Sequence, residues 1–151
     1  MKTYLFDTSA IVAGFIQSHP QHIAVHPWIV AIKNSKINAA LSTHGLAEIY
    51  SVFTKLPLQP GLSSDFVAQF IENEIETLFS VIDLSTADYR RAIERCRKQR
   101  LKGGVIYDAL HVQACLKKKL HAVVTLNISD FEALAGTDVK VVNPVETKCP
   151  A

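Results

Sequence analysis

The sequence predicts an α/β sandwich built on a mostly parallel central sheet. Three observations lead there. Short apolar runs of strand character alternate along the chain with longer stretches whose apolar residues recur at helical spacing. Successive strands are separated by helices, as parallel pairing requires for its crossovers. Carboxylates and other polar groups follow closely on several of these runs, and open α/β sheets form their sites beyond the carboxyl ends of the strands.

The first run, Tyr4–Phe6, ends at Asp7, and a helix is expected over Ser9–Gln17. A second helix is expected over His22–Asn34, with Ile23, Trp28, Ile29 and Ile32 as its apolar side and Pro27 kinking it or marking a new start. Ile37–Leu41 reads as a strand. Ser42 then serves as N-cap of a helix through Lys55, stopped by Pro57. Leu46, Ile49, Tyr50 and Phe53 fall at i, i+3, i+4 and i+7 and predict its core stripe, with Glu48 roughly opposite. Pro60 and Gly61 make Leu58–Leu62 a loop. Ser63 or Ser64 opens a helix that buries Val67, Phe70, Ile71, Ile75 and Leu78. Phe79–Leu84 is a strand, and Ser85 with Asp88 forms a capping signature for a helix to about Leu101. Gly103 and Gly104 break it. A helix from Val105 to about Lys119, a strand Leu120–Thr125, a short helix Ser129–Leu134 and a strand Val139–Val142 complete the expected domain, residues 1–144, with 145–151 as a flexible tail.

Composition narrows the function class. The 151 residues suit one domain, large enough to fold without disulfides or a structural metal. Three cysteines, Cys96, Cys115 and Cys149, without a CxxC spacing argue against a disulfide framework and a thiolate zinc site, and fit a reducing cytoplasm. Asp7 interrupts the N-terminal apolar stretch, which argues against a signal peptide, and no run is apolar enough for a membrane span. A net charge of +2 does not by itself identify a polyanion binder.

Asp7, Glu48, Asp108 and Asp130 are far apart in the chain but fall at element ends or first turns that one sandwich can bring together. Taken singly, each has a plain structural use as a helix cap, a dipole partner or a solvated charge. Together they would repel one another, and a divalent cation relieves that repulsion. Oxygen-only ligation suits Mg²⁺ or Mn²⁺. Thr8, Ser9 and Thr125 are hydroxyls placed to orient Asp7 or to touch phosphate, or alternatively to cap turns.

Four stretches carry a resemblance: Leu5-Phe6-Asp7-Thr8-Ser9-Ala10, Ala47-Glu48-Ile49-Tyr50, Tyr107-Asp108-Ala109-Leu110-His111, and Thr125-Leu126-Asn127 followed by Asp130-Phe131. In order and spacing the chain resembles the PIN-domain family, specifically the VapC-like toxins of toxin–antitoxin pairs. The resemblance implies a PIN-like three-layer sandwich of about five strands flanked by helices. It implies metal ligation by Asp7, Glu48 and Asp108, and RNA hydrolysis that leaves a 5′-phosphate and a 3′-hydroxyl. A homodimer and a cognate antitoxin covering the site are implied as well. Many members carry a fourth acid where this chain has Asn127, and Asp130 is then the alternative fourth carboxylate.

Arg97, Arg100 and Lys102 belong to a basic stretch, Arg90–Lys102, that leads toward Asp108 and would track an RNA backbone. A solvated helix face is the plainer alternative. His22 and His26, at i and i+4, permit a metal pair but lack an evident third ligand, while His44 lies one turn before Glu48 and His111 one turn after Asp108. Two rival readings remain: a PIN-fold scaffold that binds RNA or a partner without cleaving, and a phosphotransfer enzyme with Asp7 as nucleophile. The latter strategy usually places a second acid where this chain has Ser9.

Overall fold

The computed structural model describes residues 1–151. The chain runs β1 (Thr3–Phe6), α1 (Thr8–Phe15), α2 (His22–Lys33), β2 (Asn38–Ser42), α3 (Thr43–Thr54) and α4 (Ser64–Phe70). A π-helical turn (Ile71–Ile75) and the short α5 (Glu76–Leu78) follow. The chain then continues through β3 (Ser80–Ile82), α6 (Thr86–Lys98), α7 (Val105–Lys117), β4 (Ala122–Val124), α8 (Ile128–Ala135) and β5 (Val141–Val142). All neighbouring strands are parallel, in the order β3-β2-β1-β4-β5. The order reverses at β1: the chain first builds outward through β2 and β3, then returns to add β4 on the other side. The crevice beyond β1 and β4 is thus a topological switch point, where open α/β sheets hold ligands.

Strand alternation divides the core into two layers. Tyr4, Phe6, Leu41 and Val124 face α1, α2, α3 and α4, where Trp28, Ile29, Ile49 and Phe53 are buried. Leu5, Ala40 and Val123 face α6, α7 and α8, where Leu110, Val112, Phe131 and Leu134 are buried. Helices α1 and α2 approach so closely at Gly14 that a Cβ there would lie 2.5 Å from Ile29 Cγ1.

Several local expectations are corrected. Pro27 does not start a new helix, since α2 is continuous through it; the residue is exposed, on the side of the helix where water can satisfy the carbonyl that a proline leaves unpaired. Ile23 is 89% exposed and not on the apolar side. Tyr50 is likewise exposed, while Ile49 and Phe53 of the same stripe are buried. The expected single helix over 64–78 contains the π-helical turn, which rotates the face that follows it. Helix α6 ends at Lys98, and Arg100 adopts φ 54 in the turn beyond it. The capping signatures stand: Ser42 accepts from Gly45 N–H, and Ser85 and Asp88 form a reciprocal capping box. His22 and His26 lean on the end of α1, their Nδ1 atoms 2.8 Å and 3.2 Å from the carbonyls of Ala13 and Gly14. Helix capping accounts for this pair without a metal. Cys149, beyond Pro144, packs against the first core layer, and all three cysteines are free thiols. No helix is long and apolar enough to cross a membrane.

Candidate active site

Asp7 occupies the single residue between β1 and α1. Its extended backbone (φ −85, ψ 171) turns the carboxylate over the start of α1, where Oδ1 accepts from Ala10 N–H at 3.1 Å. Ser9 Oγ donates to the same oxygen at 2.7 Å, and Thr125 Oγ1, one residue past β4, donates to Oδ2 at 2.8 Å. Thr125 can reach because β1 and β4 pair in register, Phe6 opposite Val124. Ser9 Oγ in turn accepts from Leu126 N–H, and Thr125 Oγ1 from Asn127 N–H. These two hydroxyls therefore stitch the two strand ends together around one carboxylate. Asp7 is only 4% exposed, and burial pushes its carboxyl pKa up against the pull of these donors.

Glu48 projects from the second turn of α3. His111 Nε2, on α7, lies 2.5 Å from its Oε1, and His44 Nε2 lies 3.6 Å from the same oxygen. The His111 ring is 1% exposed, and its Nδ1 sits 3.1 Å from Ser42 Oγ. Tyr107 stacks on His44 at 4.8 Å between centroids and stays half exposed. Burial opposes the charge on Glu48, but the hydrogen bond from His111 leads the effects that outweigh it and lower its pKa.

Asp108 stands in the first turn of α7, one turn before His111. Asn127 uses one amide nitrogen to bridge two acids, donating to Asp108 Oδ2 at 3.1 Å and to Asp130 Oδ2 at 3.0 Å. Burial and the charges of Asp7, Glu48 and Asp130 raise the Asp108 pKa to about 6. Asp7, Glu48, Asp108 and Asn127 line one cleft of about 390 Å³, together with Thr8, Ser9, His19 and His111, and no lysine or arginine shares its wall. Asp130 does not line it and meets the site through Asn127.

The model of the PIN domain family matches residues 4–136, nearly the whole chain. The chain belongs to the PIN-domain family. Among its relatives is the ribonuclease VapC27 of Mycobacterium tuberculosis, 30% identical over 104 residues that span 69% of this chain and 70% of that protein. Solved PIN domains share the fold at lower identity. VapC20 of M. tuberculosis, a toxin described as cleaving the sarcin–ricin loop, aligns with a TM-score of 0.67 at 18% identity, over 91% of this chain and 98% of that one. VapBC2 of Rickettsia felis, bound to a DNA fragment from its promoter, gives 0.64 at 17% identity over 93% and 98%.

PIN-domain ribonucleases are in general dependent on a divalent metal. The groups in this cleft suit such an ion chemically: three carboxylates and an amide, all oxygen donors. Two buried polar atoms beside Glu48, Thr8 Oγ1 and His44 Nε2, have no hydrogen-bond partner, so the cleft has polar capacity to spare. In the geometry as it stands, no three His, Cys, Asp or Glu side chains form a ligating group. Glu48 is engaged by His111 through Oε1, and Asp108 by Asn127 through Oδ2.

Of the basic residues, Arg97 is paired with Glu94 at 2.6 Å, while Arg100 and Lys102 are exposed. A larger groove of about 1000 Å³ runs along α6, lined by Arg90, Arg91, Arg95 and Lys98 among acids. Its buried acid, Asp88, is consumed by structure: it accepts from Ser85, Gln113 and Lys117. His111, Ser42 and His44 are the contributors that a sequence reading underrates. His111 reads there as a surface or supporting histidine; the second holds, since it is buried and bonded to Glu48, 63 residues away.

Proposed function

We propose that this PIN domain is a divalent-metal-dependent endoribonuclease, the toxin of a toxin–antitoxin pair, with Asp7, Glu48 and Asp108 holding Mg²⁺ or Mn²⁺. The observation that carries the reading is the convergence of these three acids in one cleft at the sheet's switch point. The kinship with a VapC ribonuclease supports RNA as the substrate. When bound, the ion polarises a phosphoryl oxygen and makes a coordinated water more acidic. The protein supplies the rest. Ser9 and Thr125 hold Asp7 in one orientation, and Glu48 stays ionised beside His111. Asn127 holds Asp108 and Asp130 together; its amide oxygen would help to hold the ion or a water on it, and Asp130 would act through Asn127. Arg97, Arg100 and Lys102 lie outside the cleft and would supply backbone affinity only.

The cognate antitoxin would seat on the apolar groove lined by Phe15, Phe66 and Phe70, where Phe66 is 53% exposed. A homodimer acting in the cytoplasm completes the reading.

Purified protein incubated with single-stranded RNA should cleave it in Mg²⁺ or Mn²⁺ and stop in EDTA. Asp7→Asn, Glu48→Gln and Asp108→Asn should each lower the rate about 100-fold or more, the scale on which removal of a group acting on the transition state is felt. Cleavage that persists in EDTA would overturn the reading. The rival is a non-cleaving scaffold, and it draws on the same hydrogen bonds that now engage Glu48 and Asp108. It predicts no Mn²⁺ binding by calorimetry.

A further inference from the structure

We propose that His111, locked by Ser42, is the positioning residue that sets the orientation in which Glu48 faces the cleft. The inference rests on the metal reading above and deepens it at one ligand. Ser42 is fully buried at the end of β2, and its Oγ already accepts from Gly45 N–H at 3.2 Å as the cap of α3. Its hydroxyl hydrogen therefore needs an acceptor inside the protein. His111 Nδ1, at 3.1 Å, is the acceptor that the structure offers. A ring that accepts at Nδ1 carries its hydrogen on Nε2, and Nε2 is the atom facing Glu48 Oε1. The opposite tautomer would set a nitrogen lone pair against a carboxylate oxygen.

The polarity of the chain is thus fixed from Gly45 N–H through Ser42 and His111 to Glu48. His44 Nε2 lies 3.6 Å from the same Oε1. With both histidines at Oε1, Thr8 is the remaining hydroxyl beside Glu48 in a cleft that Asp7 and Asp108 share. The ring is also held sterically. Phe131 packs on one face of the imidazole, 6.3 Å away between centroids with 25° between the planes. A freely rotating Glu48 would lose rotamer entropy each time it took up an ion; a held one has already lost it.

Two measurements test this. In metal-free wild-type protein, the imidazole ¹⁵N shifts of His111 should show Nε2 protonated and Nδ1 as a bare acceptor. In titrations with Mn²⁺ alone, His111→Phe, which keeps the ring and removes both bonds, should bind about 10-fold or more weakly. His111→Gln, whose amide nitrogen can still reach Glu48, should recover part of that loss. If the Phe variant fails to fold, the wild-type tautomer decides. A hydrogen on Nδ1, equal Mn²⁺ affinity for wild type and the Phe variant, or no gain in affinity from Phe to Gln would overturn the positioning role while leaving the metal site standing. Wild-type protein that takes up no Mn²⁺ at all would overturn both.

Discussion

Asp108 and Asp88 are both acids near helix starts, and their surroundings push them in opposite directions. Asp108 is raised to about 6 by burial and by the charges of Asp7, Glu48 and Asp130. An acid whose folded pKa lies above its unfolded value of about 3.9 destabilises the folded state once it ionises, so stability falls as pH rises from about 4 through about 6. In EDTA, Asp108→Asn should remove that fall and raise stability at pH 7 by on the order of 1 kcal/mol after allowance for solvent screening. Thermal melts of both proteins across that range check it, and a lower melting temperature for the variant at pH 7 would contradict it. Asp88 is held well below the usual carboxylate range, chiefly by Lys117 and then by the Ser85 backbone. Its contribution is present above the unfolded pKa of about 3.9 and is lost as pH falls below it. Asp88→Asn should cost about 1–2 kcal/mol in urea unfolding at pH 7, because it removes the ion pair with Lys117 and weakens the capping box, and should flatten the acid limb below about pH 4. At this scale the carboxylates were legible only as a set, since each alone has a plain structural use, and Asp7 does cap α1. Ser42 and His111 were not legible as partners, because their bond joins positions 69 residues apart and leaves no local pattern.

Helices α2, α6 and α7 end in the same way. In each, the last residue's successor but one takes a left-handed conformation: Ser35 at φ 54, Arg100 at φ 54 and Lys119 at φ 51. In each, the following N–H reaches back across the turn, Lys36 to Ala31, Leu101 to Cys96 and Leu120 to Cys115. These are Schellman closures without the glycine that usually makes them. A Cβ in that conformation is unfavourable, by roughly 1 kcal/mol. Ser35→Gly and Lys119→Gly should therefore each raise stability by about 0.5–1 kcal/mol, read as a shift in urea midpoint at constant slope. A loss in both would show that the left-handed residues are not strained. Element ends marked by Ser42, Ser63 and Ser85 were readable because a hydroxyl cap is a local signal. The stops of α6 and α7 were expected two or three residues too late, because Arg and Lys do not announce a left-handed turn. The π-helical turn in 71–75 was hidden for a related reason: Val67 and Ile75 are both fully buried, and an apolar stripe does not reveal one extra residue inserted along it.

The alternation of strands and helices conveyed the parallel sandwich, but not the order of its strands, which depends on contacts between distant segments. That order has a consequence in time. The inner edge of β1 opposite β2 is filled by β4, and β4 begins only at Ala122. The partner carbonyl of Asp7 N–H is Val124, and the hydroxyl on Oδ2 belongs to Thr125. Chains grow from the N-terminus, and pairing between distant segments waits for the later one to exist. Ribosome-bound chains stalled before residue 122 should thus leave Tyr4–Phe6 open to protease, with protection arriving only once β4 and β5 have emerged. Full protection of shorter chains would contradict this. A chain partway through synthesis therefore carries a cleft that lacks one wall, and Asp7 has no second strand to hold its carboxylate until Thr125 has been added.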